Sequence, residues 1–217
     1  MKKTSLLIAV LVILLSCNKE QRGNLSNIFM NKRSFDDLVT RFESEARTKS
    51  QKPEKVIDLL GDISGKKIMD IGSGTGYFSF RLANRGADII AADVDDRFIA
   101  YAKEQIAKRN TSKVQTRKVE YHDPLLSENE VDHVLIVNTY HHIDDRVEYF
   151  SKVAKGINNG GSLMVVDFKK NKKSEGPPKR YRVSSDKVTE ELKKSGFSKF
   201  EVNHELLENQ YIVIAHK

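Results

Sequence analysis

The sequence has only one cysteine, Cys17, and no apolar run longer than the ten residues Leu6–Leu15. A single cysteine excludes a disulfide bond within the chain, and ten apolar residues are too few to cross a bilayer as a helix. Basic stretches lack interleaved aromatic residues and no nucleic-acid-binding module is recognisable, so we expect no nucleic-acid partner. No internal repeat is visible either. What remains is an ordinary soluble balance, 31% charged and 39% hydrophobic in 217 residues, which suits one domain with a single sizeable core.

The N-terminus has the organisation of an export signal. Two lysines follow Met1, and the apolar run Leu6–Leu15 has the length of a signal-peptide hydrophobic region. The run ends in Leu14-Leu15-Ser16-Cys17, which resembles the lipobox of bacterial lipoproteins. That resemblance implies cleavage before Cys17, lipid on its sulfur, and a membrane-anchored lipoprotein at the periplasmic face or in the outer membrane. The alternatives are a plain N-terminal anchor with an incidental cysteine, or a cytoplasmic protein if the signal is unused or translation starts at Met30.

The positive charge of the chain is concentrated in one segment. The formal net charge is +7, and without Lys2 and Lys3 it becomes 35 basic against 30 acidic residues, or +5. Six of the basic residues cluster late in the sequence: Lys169, Lys170, Lys172, Lys173, Lys179 and Arg180. We interpret this cluster as a solvated loop; the alternative is a docking patch for anionic lipid or nucleic acid.

Strand and helix patterns alternate along most of the chain. Residues 18–52 are interpreted as a polar tether followed by an amphipathic helix over Phe35–Ala46, and Pro53 opens a second helix that ends near Gly61. Strands are then predicted at Lys67–Ile71, Asp88–Ala92, Val114–Glu120, Val131–Val137 and Ser162–Phe168. Helices are predicted at Tyr77–Asn84, Arg97–Arg109 and Arg146–Lys155, with a turn at Gly160-Gly161. This alternation favours βαβ units and a doubly wound parallel sheet.

The C-terminal part departs from that alternation. A helix over Lys187–Lys194 is followed by two strands, Lys199–Glu205 and Tyr211–His216, joined by a short loop. Two strands so close in sequence are expected to form an antiparallel hairpin. The usual dinucleotide-binding dehydrogenase has no such ending.

A glycine-rich turn follows the first strand and reads Asp70-Ile71-Gly72-Ser73-Gly74-Thr75-Gly76-Tyr77. The dinucleotide fingerprint requires G-x-G-x-x-G, but Tyr77 occupies the position of its last glycine. The segment instead resembles motif I of class I S-adenosylmethionine-dependent methyltransferases, D/E-x-G-x-G-x-G, and the terminal hairpin is similar to theirs. The resemblance covers residues 53–217. It implies an α/β, Rossmann-like, doubly wound seven-stranded sheet that is mostly parallel with an antiparallel C-terminal hairpin strand, and S-adenosylmethionine as cofactor.

The same resemblance assigns cofactor-binding residues. Asp70 is expected to organise the turn and the methionine end of the cofactor. Asp93 lies 21 residues beyond Gly72, where a Rossmann-like fold places its ribose-binding acid; helix capping is the alternative, and Asp95 is a further capping candidate. The remaining candidates are Gly72, Ser73, Gly74 and Gly76 in the turn, Val94 against adenine, Asp123 at the adenine amino group and Asn138. The glycines could also serve turn packing alone, and Asp123-Pro124 could be an ordinary turn start.

Catalytic candidates follow the fourth strand, since ligands of open α/β sheets bind beyond the carboxyl ends of the strands. We expect His141 to act as a base or to orient the acceptor, with Tyr140 shaping the pocket; packing against cofactor or helix is the alternative for both. Adjacent histidines lack a partner spaced to complete a metal shell, so no metal is expected. The segments Asn138–Ile143 and Val166–Lys170 resemble those of bacterial, lipoprotein-like methyltransferases.

These observations define three hypotheses for function. The first is methyl transfer to a small-molecule acceptor, with the helix Phe35–Ala46 as a lid whose Phe35 and Phe42 favour an apolar or aromatic acceptor; core packing is the alternative for that helix. The second is a catalytically inactive, cofactor-binding lipoprotein, since S-adenosylmethionine is not expected to be abundant outside the cytoplasm. The third, an NAD-dependent oxidoreductase, is disfavoured by Tyr77 and the terminal hairpin. The oligomeric state cannot be predicted from these patterns.

Overall fold

The computed structural model describes residues 33–170 and 176–217. The expected signal sequence with Cys17, and Lys172 and Lys173 of the basic cluster, lie outside these residues. The helices are α1 (Phe35–Phe42), α2 (Glu45–Gln51), α3 (Pro53–Asp58), α4 (Ser79–Asn84), α5 (Asp96–Arg109), α6 (Arg146–Gly156) and α7 (Ser185–Lys194). The strands are β1 (Lys67–Ile71), β2 (Asp88–Asp93), β3 (Val114–Lys118), β4 (Val131–Val137), β5 (Ile157–Phe168), β6 (Lys199–Asn203) and β7 (Gln210–His216). Short 3-10 turns span Tyr140–His142 and Lys179–Tyr181.

The strands form one seven-stranded sheet in the order β3-β2-β1-β4-β5-β7-β6. Strands β1 to β5 pair in parallel, and β7 pairs antiparallel with both β5 and β6. The predicted fold is therefore confirmed. The strand order reverses between β1 and β4, and the crevice beyond the carboxyl ends of the strands at such a point is where open α/β sheets bind ligands.

The core has two parts, because alternate residues of each strand face opposite sides of the sheet. Met69 and Ile71 of β1 belong to the cluster beneath α6 and α7. Ile68 of β1 and Leu135 of β4 belong to the other cluster, which is packed against α3 and α4. Helices on both faces explain why β4 is almost continuously apolar.

The predicted helix over Phe35–Ala46 is in fact two helices that meet at an elbow. Helix α1 ends at Phe42, and the hydroxyl of Ser44 accepts a hydrogen bond from the Arg47 backbone N–H, 3.2 Å away, at the start of α2. The apolar spacing was correctly interpreted, but the serine offers the chain a new N-cap that interrupts the helix.

The predicted turn at Gly160-Gly161 is wrong, because strand β5 already begins at Ile157 and runs through both glycines. The pairing of β5 with β4 shifts register between Val131 and His133. A Cβ atom on Gly161 would lie 2.1 Å from the Asp132 carbonyl oxygen. The glycines therefore accommodate an irregularity within a strand, as at a β-bulge.

Within residues 33–170 and 176–217, no helix combines the length and the apolar character needed to cross a membrane.

Candidate functional site

A cavity of about 560 Å³ opens at the carboxyl ends of β1, β2 and β4. The helices α1 and α2 contribute to its wall through Leu38, Phe42 and Arg47, and the segment after β3 contributes Glu120 and Tyr121. The segments that follow β1, β2 and β4 contribute the polar lining: Gly72, Ser73, Gly74, Asp93, Asp95, Asn138, Thr139, His141 and His142. The cavity thus brings together most of the residues that the sequence analysis selected.

The turn after β1 follows a path that only glycine adopts without strain. Gly72, Gly74 and Gly76 have φ angles of 72°, 56° and 80°, in the left-handed region. A Cβ atom on Gly72 would lie 2.3 Å from the Thr139 hydroxyl oxygen, so this glycine is also needed for the close approach of the segment after β4. The backbone N–H of Gly72 donates to the Ala92 carbonyl, 2.8 Å away, which ties the turn to β2.

Asp70 lies beneath this turn rather than on the cavity wall. Its carboxylate accepts a hydrogen bond of 2.6 Å from the Ser79 hydroxyl at the start of α4. Burial raises the pKa of the Asp70 carboxyl to about 6, although the Ser79 hydrogen bond opposes the rise. This position suits the predicted organisation of the turn but does not support direct contact with the methionine end of a cofactor.

Asp93 lines the cavity at the end of β2, and both of its carboxylate oxygens accept backbone hydrogen bonds. One accepts from the Gly74 N–H at 2.8 Å and the other from the Asp95 N–H at 2.9 Å. Burial raises the pKa of the Asp93 carboxyl to about 6, against these two bonds. Asp95, not Asp93, caps helix α5, since it accepts from the Arg97 backbone N–H at 2.9 Å. Asp93 thereby holds the glycine turn against the end of β2.

The structure places Val94 on the cavity wall but not Asp123. The Asp123 carboxylate accepts from the Leu125 backbone N–H at 2.8 Å and from the Lys152 ammonium at 3.0 Å. The prediction of Asp123 as the adenine contact is therefore corrected, because a turn and an ion pair engage its carboxylate. Val119, Glu120 and Tyr121 are the residues of this segment that reach the cavity.

His141 is held by Asp167, the last residue but one of β5. The ring nitrogen Nδ1 lies 2.9 and 3.0 Å from the two Asp167 oxygens, and the His141 backbone N–H donates to one of them at 3.1 Å. Asp167 is fully buried and also accepts from the Phe168 N–H at 2.7 Å. A carboxylate that accepts from Nδ1 places the proton of the neutral imidazole on that nitrogen and makes Nε2 its basic atom.

Sequence reasoning had quoted Asp167 within a motif but had assigned it no role. An acid inside an otherwise apolar strand indicates that the residue has a specific role, because a buried carboxylate needs hydrogen-bonding partners. Which partner it finds depends on how β5 lies beside the segment after β4, and that is a tertiary relationship.

Tyr140 does not reach the cavity, and its predicted role in shaping the pocket is wrong. Its ring is fully buried and stacks on Phe150 at a centroid distance of 4.8 Å. Its hydroxyl donates to Glu191 of α7 at 2.8 Å, and Arg146 donates to the same carboxylate at 2.7 Å. Tyr140 therefore points into the core, although His141, the next residue of the same 3-10 turn, faces the cavity.

His142 lines the cavity beside His141, with the two ring centroids 4.2 Å apart. Burial and the neighbouring His141 lower the pKa of His142 to about 3, which leaves its imidazole neutral at physiological pH. Within the described residues, no group of three or more His, Cys, Asp or Glu side chains could hold a metal ion.

The helices α1 and α2 are fastened over the glycine turn by side chains from the elbow. The Thr75 hydroxyl donates to the Glu43 carboxylate, and the hydroxyls of Thr48 and Tyr77 lie 2.7 Å apart. Phe42 stacks on Phe98 at 5.7 Å and lines the cavity. Phe35 instead packs on Phe98 and Tyr101 and is not part of the cavity wall, so only Phe42 bears on the acceptor.

Arg47 of α2 is a second residue that the sequence analysis missed. Its guanidinium lies over the Tyr77 ring at 4.2 Å and donates to Gln51 at 2.6 Å. Burial lowers the pKa of Arg47 to about 10, so it remains positively charged at neutral pH. It is a cation of the cavity wall beside the glycine turn.

Asn138 connects the segment after β4 to the covering helices. Its left-handed φ of 55° and the 2.8 Å bond from its N–H to the Val166 carbonyl turn the chain away from the sheet. The Asn138 side-chain oxygen accepts from Gln210 of β7, which in turn accepts from Gln51 of α2 at 3.4 Å. The structure thus places Asn138 both on the cavity wall and in a chain of amides that ends in α2.

This combination of sheet order, glycine turn and acid at the end of β2 defines the Rossmann-like fold of class I methyltransferases. The sequence profile of the family described as a methyltransferase domain matches residues 62–210. The match spans more than half of the chain, and the chain belongs to this family.

Comparison with solved structures agrees with the fold. An S-adenosylmethionine-dependent methyltransferase from Aquifex aeolicus superposes with a TM-score of 0.77 at 24% identity, covering 85% of this chain and 98% of that one. A phosphoethanolamine N-methyltransferase from Haemonchus contortus, solved in complex with S-adenosyl-L-methionine, gives a TM-score of 0.68 at 16% identity, covering 85% of this chain and 60% of that one. The sequence-based prediction of the cofactor is in line with both.

The relatives found by sequence match a smaller share of the chain. An uncharacterized methyltransferase of Mycobacterium bovis is 28% identical over 137 residues, which cover 61% of this chain and 51% of that protein. The magnesium-protoporphyrin O-methyltransferase of Rhodobacter capsulatus is 30% identical over 110 residues, covering 43% of this chain and 49% of that protein. The chain spans about half the length of these relatives.

Proposed function

We propose that this protein is an S-adenosylmethionine-dependent methyltransferase that acts on a small-molecule acceptor. The observation that carries the proposal is that one cavity is lined both by the glycine turn with Asp93 and by His141, whose ring is oriented by the buried Asp167. The glycine turn and Asp93 suit a nucleoside with a charged amino-acid end, and His141 with Asp167 suits proton removal from a nucleophile. Together they meet the needs of methyl transfer to a protonated acceptor.

The residues present fit the cofactor. The Asp93 carboxylate can accept from ribose hydroxyls, Val94 offers an apolar surface for adenine, and the glycine turn lets backbone approach the ligand. Arg47 is the cation that would pair with the methionine carboxylate. When bound, the cofactor supplies a methyl group on a sulfonium, which needs no further activation.

The chain's own contribution to the reaction is alignment and proton transfer. His141 takes the acceptor proton on Nε2, and Asp167 fixes the tautomer in which that nitrogen is basic and stabilises the imidazolium that forms. The covering helices α1 and α2 exclude water from the nucleophile. His142, neutral because of its burial, adds no charge beside the reacting atoms.

The proposal is tested by calorimetric titration of the full-length protein with S-adenosylmethionine and with NADH. Asp93→Asn should weaken S-adenosylmethionine binding about tenfold or more, because it removes charge-assisted hydrogen bonds. Asp123→Asn is the matched control, an acid-to-amide change outside the cavity, and should leave the affinity within about twofold. No binding to the folded wild-type protein, or tighter binding of NADH, would refute the proposal.

Turnover separates an enzyme from a cofactor-binding protein without activity. A screen of small acceptors with methyl-labelled cofactor should find a product, and His141→Ala should reduce its formation about 100-fold. Cofactor binding without product from any acceptor would favour the inactive alternative.

We further propose that the protein is exported and anchored through lipid on Cys17, which rests on the lipobox-like sequence Leu14-Leu15-Ser16-Cys17. Labelled palmitate supplied to a bacterial host should enter the wild-type protein and partition it into membranes. Cys17→Ser should abolish both, with S-adenosylmethionine affinity unchanged. Equal labelling of the variant, or a soluble unlabelled wild type, would overturn the anchor.

A further inference from the structure

A second cavity, of about 410 Å³, lies next to the first and is strongly basic. Its charged lining residues are Arg146, Lys170, Arg180, Arg182, Lys187 and a single acid, Asp144. We refer to it as the basic pocket. It is formed by the segment after β4, by Lys170 just after β5, and by the segment that leads into α7.

Part of this positive charge is neutralised within the protein. Arg146 pairs with Glu191 at 2.7 Å, and Lys187 pairs with Glu190 at 3.1 Å. Arg182 is buried and donates to the carbonyl oxygens of Pro177 and Lys169, so the charge that a ligand can meet is that of Lys170 and Arg180, beside Asp144. Clustered like charges that the fold does not neutralise favour an anionic ligand.

Lys187 of the basic pocket is exposed but paired with Glu190, and the other exposed cations of the pocket are Lys170 and Arg180. In the part of the chain that the structure describes, neither forms an ion pair with a carboxylate. Arg180 lies over the ring of Tyr181 at 4.6 Å, which holds its guanidinium at the pocket by a cation–π contact. These two side chains are therefore available to a ligand, and one of them is held in place.

The basic pocket and the main cavity share His141 and Tyr181 in their walls. A molecule that places one end in the basic pocket can therefore present its other end to His141. The proposed base thus lies where the two spaces meet.

We propose that the basic pocket binds a phosphate group of the methyl acceptor, an inference that rests on the proposed methyltransferase function. The acceptor is then a small phosphomonoester that carries a hydroxyl or amine a few bonds from its phosphorus. A phosphate monoester bears a charge of about −1.5 to −2 at neutral pH, which matches the two positive charges of Lys170 and Arg180 better than a single carboxylate does. Arginine forks and lysine ammonium groups are both suited to its oxygens.

The test measures inorganic phosphate binding to the full-length protein by ³¹P line broadening at low ionic strength, where screening is weak. The double variant Lys170→Ala/Arg180→Ala should weaken phosphate binding about tenfold, the loss expected for charge-assisted contacts. Lys103→Ala/Lys193→Ala removes the same charge from exposed positions outside the pocket and should change it less than about twofold. An equal loss in both double variants, or no loss in the first, would overturn the proposal.

Two further arms separate the possible sources of failure. S-adenosylmethionine affinity, measured on the same samples, should be unchanged in both double variants; a wild type that binds phosphate at the pocket but no S-adenosylmethionine would overturn the proposed function and not the anion site. Vesicles of phosphatidylglycerol and of phosphatidylcholine test a lipid headgroup as the source of phosphate. If Lys170→Ala/Arg180→Ala weakens binding to the anionic vesicles and leaves inorganic phosphate binding intact, the pocket serves a membrane surface and the acceptor proposal is refuted.

Discussion

His141 and Asp167 form a buried pair that joins the turn after β4 to the end of β5. The Asp167 carboxylate accepts hydrogen bonds from the His141 ring Nδ1 at 2.9 Å and from the backbone N–H of the same residue at 3.1 Å. Because the acid holds both the side chain and the main chain of the histidine, the direction of the ring is fixed by the fold. Strands β4 and β5 pair in parallel up to Val137 and Val166, which lie shortly before these two residues in the sequence, so the sheet itself supports the pair.

Asp167→Asn should therefore leave His141 in the site but remove the constraint that orients its ring. The amide has no charge and only one accepting oxygen, and its NH2 group can donate to Nδ1, so the tautomer with Nε2 basic loses its advantage. We expect kcat for the acceptor found by the screen to fall about 100-fold, with KM for both substrates within about threefold.

The nitrogen chemical shifts of His141 report the tautomer directly and do not depend on turnover. The wild type should show a protonated Nδ1, and Asp167→Asn should lose that signature. An unchanged tautomer together with unchanged kcat would mean that Asp167 serves only to stabilise the fold.

Gly72→Ala should destabilise the protein by about 3 kcal/mol, because it adds a clash to a left-handed backbone conformation. The new Cβ atom would lie 2.3 Å from the Thr139 hydroxyl oxygen. Gly61→Ala is the matched control, with a φ of 74° and no atom within 4 Å of its Cβ, and should cost only about 1 kcal/mol. Urea denaturation gives both values, and equal losses would show that Thr139 moves aside freely.

Asp70→Asn should change how stability depends on pH. Burial raises the folded-state pKa of Asp70 to about 6 from 3.8, so the folded protein binds this proton more tightly than the unfolded chain. The stabilisation is complete below about pH 3.8 and is lost as the pH rises through 6. The amide keeps an oxygen for Ser79 and does not titrate, so the variant should gain about 2–3 kcal/mol over wild type between pH 4 and pH 8. Denaturation curves at several pH values measure this difference, and a constant difference would contradict the raised pKa.

Tyr140→Phe should lower stability and leave the chemistry intact. Burial and the neighbouring Glu191 raise the pKa of the Tyr140 hydroxyl above its ordinary value, which keeps it protonated as a donor. Loss of its 2.8 Å bond to Glu191 should cost about 1–2 kcal/mol, while S-adenosylmethionine affinity and kcat stay within about twofold. A fall in kcat larger than tenfold with an unchanged melting temperature would restore Tyr140 as a catalytic residue.

The fold was predictable from local patterns because each strand of the parallel sheet has its own apolar run. Val131–Val137 was predicted with its observed bounds, since a strand that is buried on both faces is apolar throughout. The errors lie where a single residue changes the path of the backbone. Ser44 starts a new helix inside a continuous apolar stripe, and Gly161 passes through a strand against the Asp132 carbonyl oxygen.

The cofactor side of the site was predictable because its residues are adjacent in sequence to strand ends. Gly72 and Gly74 follow β1, Asp93 is the last residue of β2 and Val94 follows it, and all four line the cavity. The acceptor side was predicted less well, since it depends on which way a side chain turns within a short 3-10 turn. Tyr140 and His141 are neighbours in sequence, yet one lies in the core and the other on the cavity wall.

Asp93 accepts a hydrogen bond from Gly74 of the glycine turn, and Gly72 of the turn donates to β2, with no ligand involved. The half of the cavity that suits the nucleoside is thus held by contacts between β2 and the turn after β1, whereas the other half is built from α1, α2, the segment after β4 and the segment before α7. This division gives the protein an evolutionary freedom: substitutions in the outer segments can redirect it to a new acceptor while the inherited nucleoside half keeps its shape.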